Sequence, residues 1–271
     1  MSEDFITNFV RTIPKQGQEK WMAKLNKMKM LFYEAEYQTV KRGFRPAGIV
    51  HLGNDNYKEL LKLTNKDNLV ITPFLKGGYF CQPQYLPREY ASYKSIRPGE
   101  PYFWYGSLTR TYEDGQKFKK AENEGDHKTM GSLLGYPECC IKHFIEILPI
   151  NYDLKTFPIN DDPIWLGKEG KVTGYPECNQ MLLCFGARIT AHFSCSPTCE
   201  ATKKIGQSWF KVMKEIDKNL AKELYDLLVA KLIWNNHRGI IRIETPYFIG
   251  LTNAFSFMKK PRVIEWRGIK K

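Results

Sequence analysis

The placement of the cysteines constrains this chain more than any other feature. Six of the seven lie between residues 139 and 199. The segment Met1–Thr7 is acidic where a secretory signal would be basic, and no apolar run approaches the roughly 20 residues of a membrane-spanning helix. We therefore expect a cytoplasmic protein with no membrane partner. In that reducing compartment an odd number of cysteines favours metal ligands, nucleophiles or buried thiols over disulfides.

The cysteines share a local context. Pro137, Pro176 and Pro197 each stand two residues before a cysteine, where random placement of 15 prolines and 7 cysteines predicts about 0.4 such pairs. The word Gly-Tyr-Pro-Glu-Cys occurs at both 135–139 and 174–178. Proline is favoured at the first position of a helix, and the N–H groups and dipole of a helix start favour the thiolate. The pattern therefore predicts three helix starts that bring cysteines together, the third with Ser196 as its N-cap.

Thiolates at helix N-termini suit two kinds of metal site. The first expectation is an iron–sulfur cluster, and the alternative is a structural zinc of the Cys₄ or Cys₃His type. Thiols that bind no metal and pack as small hydrophobic side chains are the third interpretation. The predicted metal ligands are Cys140, Cys178, Cys195 and Cys199.

Three residues are candidates for catalysis. Cys139 and Cys140 are adjacent and point about 100° apart on a helix, so we expect one of them to be a ligand and Cys139 to be a nucleophile. His143 lies on the same helix face as Cys140 and is a candidate base, although a surface histidine satisfied by its neighbours is the simpler interpretation. His192, three residues before Cys195, is a candidate for proton transfer or for a fourth metal ligand.

Two of these motifs resemble a known family. The segment 135–140, Gly-Tyr-Pro-Glu-Cys-Cys, with His192-x-x-Cys195-Ser-x-x-Cys199 downstream, resembles an uncharacterised prokaryotic protein family with the same helix start and cysteine segment. The resemblance implies that Cys139, Cys140, His192, Cys195 and Cys199 belong to one site. It carries no activity with it, and Cys178 is not part of its pattern.

The charge of the chain has two interpretations. Its 41 Lys and Arg against 29 Asp and Glu give a net charge of +12, and only 11 of the basic residues are arginines. A lysine surplus is typical of polyanion binding and equally of a solvated lysine-rich surface. Aromatic side chains flanked by arginines can stack on unpaired bases, although alternating aromatics in a strand are more often core. The predicted RNA- or DNA-binding residues are Arg97, Tyr102, Trp104, Tyr105 and Arg110.

The periodicities predict an α+β fold. A mixed N-terminal region, residues 1–125, precedes a mainly helical cysteine-containing domain, residues 126–271, which ends in a small antiparallel sheet; residues 113–131 are expected to form a polar linker. No phosphate-binding glycine loop, dinucleotide fingerprint or nucleophile elbow is present, which argues against an ordinary kinase, dehydrogenase or serine hydrolase. The sequence does not define an oligomeric state.

The predicted function is a metal-dependent, iron–sulfur enzyme that modifies a nucleic acid or nucleotide. Two alternatives stay open. One is a zinc-stabilised basic protein that binds nucleic acid without catalysis, and the other is a metal-free acyl or amide transferase or hydrolase with a cysteine nucleophile.

Overall fold

The computed structural model describes residues 15–53, 57–78, 102–147, 171–180, 182, 186–235, 239–244, 249–251 and 262–266. The α-helices in these ranges are α1 (Lys15–Lys41), α2 (Tyr57–Lys66), α3 (Tyr112–Glu124), α4 (His127–Leu133), α5 (Glu138–Ile147), α6 (Glu200–Ile216) and α7 (Lys218–Leu228). The strands are β1 (Ala47–Gly53), β2 (Val70–Gly78), β3 (Tyr102–Thr109), β4 (Lys171–Gly174), β5 (Lys231–Asn235), β6 (Gly239–Glu244), β7 (Ile249–Leu251) and β8 (Arg262–Trp266), and Pro176–Cys178 is a 3₁₀ helix. The predicted α+β class is confirmed.

Two compact units divide the chain. One comprises residues 36–141 and the other residues 1–35 with 142–271, so the divisions fall inside α1 and inside α5. The domain boundary that the sequence predicts after residue 125 stays a prediction.

The unit of residues 36–141 is built on a three-stranded antiparallel sheet with β3 in the middle, in the order β1-β3-β2. Helix α3 packs on this sheet through Phe118, which is buried with Ala47 and stacks on the ring of Phe74 at 5.7 Å. Gly115 of the same helix lies directly against the Thr72 side chain, so a larger residue there would push the helix off the strand. The close contact holds α3 against β2.

A buried ion pair supports the approach to α5. Arg45 and Glu36 form a salt bridge of 2.9 Å, and both side chains are buried. Gly135 packs against the Arg45 side chain with a φ of 70°, a left-handed conformation that favours glycine. The turn at Gly135 therefore directs the chain into α5, where the first pair of cysteines lies.

The other unit joins helices to a five-stranded sheet in the order β4-β8-β5-β6-β7. The pairs within β5 to β8 are antiparallel, as predicted for the C-terminal sheet, and β4 adds to β8 in parallel. In the helical part Phe32 lies 5.8 Å from Trp209 between ring centroids, and the Arg188 guanidinium stands 3.8 Å over the Phe32 ring. Helix α7 buries Ala221, Leu224 and Leu228.

The polar linker predicted for residues 113–131 is wrong. These residues form most of α3 and α4 because each helix has strong end signals. Thr111 caps α3 by accepting a hydrogen bond from the Asp114 N–H, Gly125 ends it with a φ of 67°, and Asp126 then caps α4. The apolar face of α3 is narrow, with Phe118 and Ala121 as its buried side chains beyond glycine, so the segment resembles a loop in composition.

None of the described helices is both long enough and apolar enough to cross a membrane.

Candidate metal centre

Four cysteines lie side by side. The sulfur atoms of Cys139, Cys140, Cys195 and Cys199 are all within 4.8 Å of one another. Cys139 is exposed and Cys195 half-buried, whereas Cys140 and Cys199 are only 2% and 6% exposed. None of these four, nor Cys178, forms a disulfide with another described cysteine. We call the four the cysteine cluster.

The start of α5 supplies the first two sulfurs. Helix α5 begins at Glu138, directly after Pro137, and the Pro137 carbonyl accepts hydrogen bonds from the N–H groups of Cys140 and Ile141 at 2.9 and 3.0 Å. This agrees with the predicted proline-led helix start. The two sulfurs are 3.9 Å apart. The geometry thus offers both sulfurs to one site, where the sequence predicted one ligand; the catalytic role of Cys139 stays a prediction.

The start of α6 supplies Cys199, though not in the predicted way. The helix begins at Glu200, and its N-cap is Cys199 rather than Ser196. The Pro197 carbonyl accepts a hydrogen bond from the Tyr175 N–H at 2.8 Å and is engaged by that neighbouring loop, while Pro197 and Thr198 form a turn. The Cys199 sulfur takes the capping role and accepts a hydrogen bond from the Thr202 N–H at 3.4 Å.

His192 contacts the first turn of α6 through Thr202. Its Nε2 shares a hydrogen bond of 2.9 Å with the Thr202 hydroxyl, and both side chains are buried. Burial lowers the pKa of His192 to about 3, so the ring is neutral at physiological pH. Next to it, Phe193 stacks on Phe144 of α5, with ring centroids 6.5 Å apart and nearly parallel planes. His192 is not one of the four clustered residues, and its proposed part in proton transfer stays a prediction.

Cys178 lies beside the cysteine cluster and not in it. Its side chain is fully buried, and its S–H donates to the Cys199 carbonyl at 3.6 Å. Burial is the main cause that raises the pKa of this thiol to about 12. The second Gly-Tyr-Pro-Glu-Cys word therefore provides a buried thiol that contacts the backbone of a clustered cysteine, where the sequence predicted a metal ligand.

The remaining predicted site residues are placed as follows. His143 is half-buried on α5. Tyr105 is half-buried in β3, and Arg110 is exposed just after the end of that strand. Tyr102 and Trp104 lie in β3 with side chains outside the described set, and Arg97 lies outside the described residues. The nucleic-acid interface stays a prediction.

The cysteine cluster can hold a metal ion, since it presents four thiol groups from two stretches of chain at one point. Sequence reasoning missed Thr202, which donates to a clustered sulfur. The signal was present as the spacing Cys199-x-x-Thr202, the N-cap to N3 spacing of a helix start, with cysteine in the place of the usual serine or threonine.

Comparison with protein families, with curated proteins and with solved structures finds no match to this chain.

Proposed function

We propose that this protein is a metalloprotein whose cysteine cluster binds one zinc ion in tetrahedral coordination. The observation that carries the proposal is the spacing of the four sulfurs, all within 4.8 Å of one another. Thiolates that share one ion at a zinc–sulfur distance of about 2.3 Å are about 3.8 Å apart along the edges of a tetrahedron. The pair Cys139 and Cys140, at 3.9 Å, already has that separation.

An iron–sulfur cluster, the cofactor expected first from the sequence, suits this spacing less well. In a four-iron cluster each thiolate is bound to a different iron, so the four sulfurs lie farther apart than sulfurs that share one ion. The sulfur spacing therefore favours a single ion. Iron–sulfur content becomes an outcome that the experiment below can detect.

The surroundings of the cysteine cluster offer hydrogen-bond donors to a negatively charged metal site. Four thiolates and one Zn²⁺ carry a net charge of −2, which needs nearby hydrogen-bond donors when the sulfurs are buried. The Thr202 N–H donates to the Cys199 sulfur, and Cys139 and Cys140 lie in the first turn of α5, near the positive end of its dipole.

A zinc ion with four protein ligands has no open position and acts as a structural element. It would order residues 195–199, which have little regular structure before α6. We propose a reducing cytoplasmic location, in which these thiols remain available for metal. A nucleic-acid partner and catalytic modification chemistry remain predictions from the sequence.

The test is metal analysis of the protein purified without oxygen from cells supplied with both zinc and iron. We expect one zinc per chain in the wild type and less than a tenth of that in Cys140→Ser. Cys178→Ser is the matched control, because Cys178 is equally buried but outside the cysteine cluster, and the serine hydroxyl can still donate to the Cys199 carbonyl; this variant should keep its zinc. Stoichiometric iron with sulfide, or equal zinc loss in both variants, would overturn the proposal.

A further inference from the structure

A chain of two contacts leads from a buried histidine to a sulfur of the cysteine cluster. His192 Nε2 lies 2.9 Å from the Thr202 hydroxyl, and the Thr202 N–H lies 3.4 Å from the Cys199 sulfur. Thr202 is fully buried and His192 nearly so, which makes their hydrogen bond a fixed one shielded from water. Thr202 thus contacts His192 through its hydroxyl group and the Cys199 sulfur through its backbone N–H.

The orientation of that N–H matters for a metal-bound thiolate. A hydrogen bond to the sulfur disperses its negative charge and sets how strongly it donates to the metal. Thr202 lies at the third position of α6, in the first turn, where helix ends fray and the N–H groups have no partner in the helix itself. A buried anchor on the Thr202 side chain opposes that fraying.

The backbone of Cys199 is held from a second side. The Cys178 S–H donates to the Cys199 carbonyl at 3.6 Å, and the Ser194 hydroxyl donates to the Cys178 carbonyl at 3.5 Å. The Cys199 carbonyl is therefore held by Cys178, and the Cys199 sulfur accepts its hydrogen bond from Thr202. The anchor on the sulfur side is His192.

We propose that His192 is a positioning residue of the zinc site, which by holding the Thr202 side chain keeps the Thr202 N–H directed at the Cys199 sulfur. The inference rests on the zinc site proposed above and explains why a histidine three residues before Cys195 belongs to the site without binding the metal. In this role the imidazole acts as a neutral hydrogen-bonding group.

The test compares His192→Ala, His192→Gln and Thr202→Val by chelator competition for zinc and by the absorption spectrum of the cobalt(II)-substituted protein. We expect about 10- to 100-fold weaker zinc binding in His192→Ala and in Thr202→Val, the usual effect of removing a group that orients a metal ligand. The sulfur-to-cobalt charge-transfer bands should shift in both, because the hydrogen bond to the thiolate changes. His192→Gln places an amide near the position of Nε2 and should restore most of the affinity.

The control for buried threonine loss is Thr190→Val. Thr190 is also fully buried, and its hydroxyl donates to the Glu177 carbonyl at 3.0 Å without contacting a clustered sulfur. It should leave the cobalt spectrum unchanged. Because His192 and Thr202 act through one hydrogen bond, the double variant His192→Ala/Thr202→Val should bind zinc about as weakly as either single variant.

Four results would overturn the inference: wild-type affinity in His192→Ala, the same spectral change in Thr190→Val, no rescue by His192→Gln, or fully additive losses in the double variant. If the wild-type chain takes up neither cobalt nor zinc, the proposed zinc site itself is wrong and this inference falls with it. Normal uptake in the wild type with unchanged variants removes the positioning role alone.

Discussion

Replacing Gly206 by alanine tests how closely α6 packs on the 3₁₀ helix beside the cysteine cluster. A Cβ atom at this position would lie 2.5 Å from Cβ and 2.7 Å from Cγ of Glu177, and 3.2 Å from the Thr190 methyl group. The two Glu177 atoms are close to the backbone of a residue that is only 4% exposed, so they cannot swing aside. We expect the helix and the 3₁₀ helix to be forced apart.

The expected change in the free energy of unfolding is the difference between a gain in helix propensity and a loss from overpacking. Alanine is about 1 kcal/mol more favourable than glycine inside a helix. Forcing an extra methyl group into a packed interior costs about 1–3 kcal/mol, and contacts this short belong to the middle of that range. The net effect is a loss of about 1 kcal/mol in the free energy of unfolding, or about 2–4 °C in Tm.

The assay is urea and thermal unfolding of Gly206→Ala beside Ser208→Ala. Ser208 is exposed in the same helix, so its replacement changes helix propensity without a packing conflict and should leave stability equal or slightly higher. If Gly206→Ala is as stable as the wild type or more stable, the close approach of α6 to Glu177 is wrong.

Four further predictions follow from single features. The unfolded protein binds a proton at His192 below pH 6.5 that the folded protein does not bind until about pH 3, so the free energy of unfolding should fall with decreasing pH by up to about 1.4 kcal/mol per unit in that window; an equal slope in His192→Gln would contradict this. Phe32 is 1% exposed, so Phe32→Ala should lower the free energy of unfolding in urea by about 3–5 kcal/mol. Phe44 is 56% exposed, so Phe44→Ala should change it by no more than about 0.5 kcal/mol; similar losses in the two variants would contradict the buried position of Phe32. Thr111→Ala removes the side-chain cap of α3 and should lower the free energy of unfolding by about 1 kcal/mol in the same assay; an unchanged stability would contradict the cap. A chelator should lower the Tm of the wild type and leave that of Cys140→Ser unchanged, because only a metal-loaded fold loses binding energy; a chelator-insensitive wild type would argue against a structural ion.

Much of the helical fold could be predicted from apolar periodicity. The three- and four-residue spacing of apolar residues predicts a helix over 17–41 and a helical segment over 197–235 with a break near 217–219. Helix α1 and the pair α6 and α7 confirm this spacing, and the break occurs at Asp217, whose side chain caps α7. Residues 231–235 fall at the end of the second predicted helical segment, and there the prediction is wrong, because they form β5. The run Leu227–Trp234 is apolar at every position except Lys231, so its period distinguishes a helix from a buried strand poorly.

The candidate site could be predicted only in part. The proline context correctly indicated that cysteines distant in sequence lie at chain turns near one another, and Cys139, Cys140, Cys195 and Cys199 do so. It could not separate the two Gly-Tyr-Pro-Glu-Cys words. Gly135 turns the chain into α5 with a positive φ, whereas Gly174 ends β4, paired with β8. Partners outside each word thus decide whether its cysteine joins the cluster or is buried beside it.

X-ray absorption at the metal edge of the anaerobically purified protein tests the central claim most directly. The account predicts a zinc edge with four sulfur neighbours at about 2.3 Å and no second metal in the scattering shells. An iron edge with a neighbouring iron, or a metal with fewer than four sulfur neighbours, would contradict the single four-cysteine ion.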